Sequence, residues 1–233
     1  SSTYANQPEF KKLTTRAMLE GHVTENFGLI GNFVQKTSEI PLYAYSGGFS
    51  SNSEPEKRDQ TRKIENAMLK GFWTPNDRLD VSFTLLNAPA QGEYFKENVR
   101  NSQFRVDQGG QTAQFKALWL GDQATFTHKL SYKMVQSSRD SQSSVYLPWR
   151  WSSEKNWGSP FRNGVRDSRA VSSEGGMGDL EQKQSGFEYA FKVDLNAFEL
   201  FGSEHNLTFG LDLSHQKASY EVMEDSLNGG SLS

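Results

Sequence analysis

The sequence has no cysteine. That excludes a disulfide framework and thiolate metal sites, and it suits a chain that crosses an oxidising compartment unaided. Long apolar runs are missing too. Nothing approaches the roughly 18 consecutive apolar residues of a membrane helix, so a helical membrane protein is excluded. Charge of one sign is scarce: the net charge is −3 over 233 residues, whereas a nucleic-acid surface would show a basic excess. The opening residues SSTYANQPEF lack the charged and apolar regions of a signal peptide, so an exported protein would be represented by its mature chain or a piece of it. Helical periodicity is nowhere convincing. The mean hydropathy of −0.71 still leaves a transmembrane β-barrel open, because barrel strands expose apolar side chains at alternate positions only.

What the sequence does have is period-two alternation, and it comes in pairs. Leu13, Thr15, Ala17, Leu19, Gly21 and Val23 mark one strand, and Phe27, Leu29, Gly31 and Phe33 follow after 24-TEN-26. A strand from about Arg62 to Trp73 carries Ala67, Leu69, Gly71 and Trp73 on one face, though Met68 and Phe72 blur it. The turn 74-TPNDR-78 leads to Leu79, Val81, Phe83 and Leu85. The third pair, 111-QTAQFKALWL-120 and 123-QATFTHKLSYKM-134, is joined at Gly121 and Asp122, residues suited to a tight turn. The fourth places Phe187, Tyr189, Phe191, Val193 and Leu195 on one face, then turns near 202-GSEH-205 into Leu207, Phe209, Leu211 and Leu213.

Within each pair the connection is short, while between pairs it is long and polar, at about 41–61, 92–110 and 137–182. In an up-and-down meander, alternate connections emerge at opposite ends, so short turns share one rim and long loops the other. That is the layout of an outer-membrane barrel. Strands of roughly 10–14 residues suit a tilted membrane crossing better than the five or six usual in soluble sheets. Phe27, Trp73, Trp119 and Phe201 all fall beside short turns, where an interfacial girdle would sit, although any one of them could serve as ordinary core. The expected fold is therefore all-β, an antiparallel up-and-down transmembrane β-barrel of about eight long strands in a single domain over residues 1–233.

Two segments carry a resemblance as they stand: 69-LKGFWTPNDRLDVSFTLLNAPAQGEYF-95 and 206-NLTFGLDLSHQKASYEV-222. They resemble the barrel strands of TonB-dependent outer-membrane receptors. The resemblance implies a 22-stranded barrel closed by an N-terminal plug, set in the outer membrane of a Gram-negative bacterium. Such a receptor binds a scarce nutrient such as a ferric siderophore, haem or cobalamin and imports it with energy from an inner-membrane complex. The sequence departs from the pattern: no plug segment, no energy-coupling box at the N-terminus, and no terminal aromatic after 224-EDSLNGGSLS-233. The expectation is an internal piece of a receptor barrel, with the inner-membrane complex engaged through a missing N-terminal region.

No catalytic constellation stands out, so the chain is expected not to be an enzyme and to hold no cofactor. The four histidines, His22, His128, His205 and His215, form no HExxH-type pair, and without cysteine a metal site would need carboxylates. His128 shares a face with Phe126 and Leu130, which favours a structural histidine over a ligand, and His215 falls where its strand leaves the apolar phase. Asp80, Asp194 and Asp212 lie on the presumed lumen face. The GGMG at 175–178 lacks the Lys and helix of a phosphate loop. The richest loop segment is 145-VYLPWRWSSEKNWGSPFRNGVR-166, in which Tyr146, Trp149, Trp151, Trp157 and Phe161 are interleaved with Arg150, Arg162 and Arg166. Flat rings beside fixed positive charge suit an anionic aromatic ligand; equally, the rings can pack the loop against its neighbours. Tyr43 and Tyr45 in 41-PLYAYSGGF-49 join the same outer vestibule on equal terms.

Alternation alone does not say which face is wet. In a soluble lipocalin-like barrel binding a small apolar ligand, the apolar face lines the cavity; in a membrane barrel it meets lipid. Loop asymmetry, strand length and girdle position favour lipid. The implied partners are thus outer-membrane lipid and a small-molecule nutrient such as an iron chelate, with no nucleic acid.

Overall fold

The computed structural model describes residues 10–45, 56–96, 99–150, 161–162, 165–166 and 171–223. In chain order the strands are β1 (Lys11–Thr24), β2 (Phe27–Tyr45), β3 (Glu56–Asn76), β4 (Leu79–Asn87), β5 (Ala90–Tyr94), β6 (Val99–Arg100) and β7 (Phe104–Leu120). There follow β8 (Ala124–Ser141), β9 (Tyr146–Arg150), β10 (Phe161–Arg162), β11 (Val165–Arg166), β12 (Val171–Gly175), β13 (Asp179–Leu200) and β14 (Ser203–Met223). The large sheet runs β1-β2-β3-β4-β7-β8-β13-β14 with every neighbour antiparallel, and β5 continues the line of β4 between β3 and β7. The expected all-β meander is present.

Register shows why the sequence alternates. Gly21, Leu29, Gly71, Phe83, Phe115, Leu130, Tyr189 and Leu213 stand opposite one another from strand to strand and form one row across the sheet. Their immediate neighbours Glu20, Ile30, Lys70, Thr84, Gln114, Ser131, Glu188 and Ser214 form the matching row on the other face. A side-chain period of two fixes this division, since slipping one strand by one residue would turn its whole apolar set over. Gly71 belongs to the row for a packing reason: the Phe83 ring lies over it where a side chain would otherwise stand, an aromatic covering a bare stretch of strand.

Neither face of this sheet is covered by a second layer. Among the described residues only Phe95 and Ala124 are buried apolar residues, whereas Leu130, Phe209, Leu211 and Leu213 are all substantially exposed. A lipocalin-like barrel that turns its apolar face inward has no counterpart in these residues. The apolar stretch of β13 from Phe187 to Leu195 measures about 26 Å at roughly 3.3 Å per residue. Tilted by the usual 35–45° it covers about 20 Å, close to the ~25 Å apolar band of a membrane barrel once the flanking aromatics are added.

His128 sits inside that band. Its Nδ1 lies 2.8 Å from the Tyr189 hydroxyl, and its ring centroid is 4.7 Å from that of Phe191. Two polar groups on an apolar face thus satisfy each other, which explains a histidine there without a ligand. Replacing either one alone, His128→Phe or Tyr189→Phe, leaves one partner unsatisfied and should cost about 1–3 kcal/mol, while the double variant should recover most of the loss. Urea unfolding of the full-length protein in lipid vesicles reads this; two additive single losses would sink the pairing.

The four short connections, 25–26, 77–78, 121–123 and 201–202, close one rim. Adjacent hairpins are laced together there: Thr74 N donates to Asn26 O at 2.9 Å, Leu120 N to Arg78 O at 2.8 Å, and Asn196 N to Gln123 O at 2.9 Å. The turn at Phe201 and Gly202 has positive φ at both residues, 55° and 78°, the conformation whose twist matches flanking strands. Three turns are tighter than the sequence suggests: β3 persists to Asn76, β1 resumes as β2 after two residues, and β14 begins at Ser203.

The expected long connections are corrected in the other direction. β2 and β3 continue through 41–45 and 56–61, β5 and β7 occupy much of 92–110, and β8 and β13 extend to Ser141 and back to Asp179. Strands reach 17 to 22 residues in β7 and β13. Beyond the apolar band both faces are polar, so alternation vanishes while the backbone ladder continues. Ion pairs stand where apolar residues stood lower down: Lys63–Glu65 at 2.8 Å, Arg105–Asp107 at 2.9 Å and Lys11–Glu39 at 3.6 Å. His215 likewise lies well within β14, opposite Phe187.

Candidate functional site in the long-loop cap

At the rim opposite the short turns, two connections fold onto each other. β6, from the connection before β7, pairs in parallel with β12, and β12 pairs antiparallel with β9, so that segments of two different loops share a three-stranded sheet. The first loop is pinned by Ser102, only 3% exposed. Its hydroxyl accepts from Lys96 N at 2.9 Å and lies 2.9 Å from Val99 O. Asn101, in the left-handed region at φ 53°, donates from Nδ2 to Glu174 Oε1 at 2.8 Å, which ties this loop to β12. A short amide side chain tolerates that backbone shape better than most.

The second loop is held down from the sheet. Arg139 of β8 donates to Gly178 O at 2.9 Å and to Met177 O at 2.8 Å, and Asp179 accepts from Ser141 N at 2.8 Å. Gly175 has φ +113° and Gly178 φ +74°. A Cβ on Gly175 would fall on the carbonyl oxygen of Val145, so the 175–178 glycines make the close approach of β12 to β9. The GGMG segment is thus a packed turn.

Tyr146 is the predicted site residue whose side chain the structure describes. It stands on β9, half exposed, with the Lys96 ammonium 5.1 Å from its ring centroid. An ammonium over a phenol ring is mildly favourable where exposed, and together they offer a flat apolar surface beside a positive charge. Trp149 and Arg150 lie on the same strand, with backbones opposite Ser172 and Val171. Phe161 and Arg162 form a separate hairpin with β11, opposite Arg166 and Val165. Tyr43 and Tyr45 end β2, opposite Lys57 and Glu56. Trp151 and Trp157 lie outside the described residues. Sequence reasoning missed Lys96, although 94-YFKENVR-100 shows the same aromatic and basic interleaving in miniature. Tyr94, two residues before Lys96, stacks on Phe104 with centroids 5.6 Å apart.

No family model and no curated protein matches the sequence. Among solved structures, the outer membrane transporter YddB from Escherichia coli matches with a TM-score of 0.70 at 15% identity, over 90% of this chain and 26% of that one. The siderophore receptor PiuA from Acinetobacter baumannii aligns at a TM-score of 0.44 and 8% identity, over 93% of this chain and 40% of that one. The chain therefore spans about a quarter of the length of the transporter it matches at the higher score. With its short-turn rim, uncovered apolar face and looped cap, the chain has the fold of part of an outer-membrane transporter β-barrel wall.

Proposed function

We propose that this chain is part of the barrel wall of a TonB-dependent receptor in the outer membrane of a Gram-negative bacterium, and that the receptor captures a small nutrient molecule at its looped rim. The observation that carries this is the apolar face running unbroken across eight strands with nothing packed on it, which a lipid environment accounts for and water does not. The edges of β1 and β14 carry no further strand among the described residues, and in lipid such edges must be paired. Further strands of a larger barrel supply that pairing in this reading.

In the same reading the cap holds the ligand. Tyr146 and Lys96 suit a planar or anionic group, such as an iron chelate or haem, and import draws on an inner-membrane energy-transducing complex. The role is binding and passage, with no covalent step. The test is uptake of labelled ferric siderophores, haem and cobalamin by cells carrying the full-length protein or none. One of these should enter only when the protein is present and the inner membrane is energised. Tyr146→Ala with Lys96→Ala should lower apparent affinity by about 10-fold, the scale of one or two lost contacts, at unchanged protein level. Uptake independent of the protein for every ligand would overturn the receptor reading, and unchanged affinity would remove these two residues from the site.

A further inference from the structure

Of the four short turns, only the one between β3 and β4 carries a cation, Arg78. Its backbone is held on both sides: Arg78 N donates to Asn76 Oδ1 at 2.9 Å, and Arg78 O accepts from Leu120 N at 2.8 Å. Its guanidinium reaches the next turn, with Nη2 2.9 Å from Asp122 Oδ1. Both side chains of that pair are exposed, so it contributes little to stability. The remaining guanidinium donors have no protein acceptor among the described residues, and neither Asp77 oxygen takes part in an ion pair there. Beside the turn, Leu79 stands directly opposite Trp119, which is half exposed and stacks on Phe126 with centroids 5.2 Å apart. Leu79, Trp119, Phe126, Val193 and Phe209 form one row of the apolar face. An open depression of about 580 Å³, bordered by Asn76, Asp77, Arg78, Leu79 and Trp119, thus joins charges of both signs in the turn to the apolar row on the strands.

We infer that this depression is a headgroup site for a zwitterionic phospholipid with a primary ammonium, of the phosphatidylethanolamine class, in the leaflet at the short-turn rim. The inference rests on the reading above, in which the apolar face meets lipid and the looped rim faces outward. The lipid phosphate accepts from the Arg78 guanidinium, whose planar fork matches two phosphate oxygens. The ammonium, two carbons further along the headgroup, donates to the Asp77 carboxylate. Asp77 and Arg78 are neighbours in the chain, with Cα atoms about 3.8 Å apart, so one headgroup spans both. The glycerol and the first acyl carbons then lie along Trp119 and Leu79, at the level where tryptophan settles in a bilayer. Because Asn76 and Leu120 already fix the Arg78 backbone, little ordering is left for the lipid to impose. Two observations decide the ligand class. Leu79 and Trp119 offer a soluble phosphate ester nothing, whereas they lead an acyl chain onto the apolar face. Asp77 and Asp122 flank Arg78 and so disfavour a headgroup of purely negative charge, while one that carries its own ammonium is matched.

The test is native mass spectrometry of the full-length protein in detergent, with phosphatidylethanolamine, phosphatidylcholine and phosphatidylglycerol of identical acyl chains added at equal concentration. Phosphatidylethanolamine should be retained about 10-fold more strongly than the other two, the scale of one charge-assisted hydrogen bond. The choline headgroup has no N–H to give Asp77, and the glycerol headgroup has no cation. Arg78→Gln and Asp77→Asn, both at exposed turn positions, should each abolish the preference, while Arg105→Gln near the opposite rim should leave it unchanged. Equal retention of the three lipids, or a preference untouched by Arg78→Gln, would overturn the site. A preference for phosphatidylglycerol that Asp77→Asn does not alter would overturn it in favour of a simple anion site. Tighter binding of soluble phosphoethanolamine than of the lipid would overturn it in favour of a water-borne phosphate ester. A bilayer-confined photoreactive probe, applied to the protein in vesicles, separates this failure from that of the underlying reading: Leu130 and Phe209 labelled upholds the lipid-facing assignment whatever the lipid preference, and Leu130 and Phe209 unlabelled removes it and the headgroup site together.

Discussion

Leu213→Arg is expected to destabilise the membrane-inserted protein by about 2–4 kcal/mol, the cost of a guanidinium on the lipid face near the midplane of a barrel. The neighbouring Ser214→Arg is expected to cost less than about 0.5 kcal/mol, as surface substitutions usually do. The two positions are adjacent in sequence and differ only in the face they occupy: Leu213 stands opposite Tyr189 in the apolar row, Ser214 opposite Glu188 in the polar one. Leu213 is 54% exposed in the bare sheet, so the larger part of its surface meets solvent and the difference between the two positions reports mainly on that solvent. Unfolding of the full-length protein from lipid vesicles by urea measures it, and 2–4 kcal/mol is about 30- to 1,000-fold in the folded-to-unfolded ratio. Equal small losses at both positions would mean that Leu213 does not meet lipid. A larger loss at Ser214 would put the polar row, and not the row of Leu213, against lipid.

The same pair shows where sequence is informative. In 207-LTFGLDLSH-215 the alternation is produced by two solvents, so the face of each residue from Leu207 to Leu213 can be read directly, and the structure keeps that phase over those residues. Above the band the two faces meet one solvent. Lys63 and Glu65 occupy the positions that Leu69 and Gly71 hold lower down, and with both faces polar the strand leaves no trace in the pattern. This is why the arms of β2, β3, β7, β8 and β13 read as loops. The opposite error of reading Met68 and Phe72 as noise has a different cause: they are apolar residues on the polar face, where the alternation rule has no place for them. In the cap, β9 could be seen only as an aromatic and basic segment. Its pairing with β12 joins residues more than twenty positions apart, the parallel contact of β12 with β6 residues more than seventy apart, and no local pattern announces either. Tyr146 was legible by residue type, whereas Lys96 needed the fold to bring it over the ring.

Gly175→Ala is expected to unlace that cap while leaving the barrel wall intact. Two costs coincide at this residue. Its φ of +113° lies where an L side chain is strained by about 1–2 kcal/mol, and its new Cβ would meet the Val145 carbonyl, a backbone atom fixed by the pairing of Tyr146 with Gly175 itself. A flexible side chain could swing aside, but a carbonyl in a ladder moves only if the ladder opens. The combined loss is about 2–4 kcal/mol, more than a three-stranded sheet of two- and five-residue strands is expected to hold by itself. Gly202→Ala is the control: φ is also positive at +78°, but nothing lies within 4 Å of the added carbon, so only the conformational strain remains. Hydrogen exchange of the full-length protein distinguishes them. In Gly175→Ala the amides of Leu147–Arg150 and Val171–Ser173 should lose protection by about 30-fold or more, with Phe187–Leu195 unchanged, and ligand uptake should weaken with them. In Gly202→Ala the cap should keep its protection. Unaltered protection at β9 and β12 in Gly175→Ala would show that the close approach of the two strands does not hold the cap together, and retained uptake despite an opened cap would place ligand capture elsewhere on the rim.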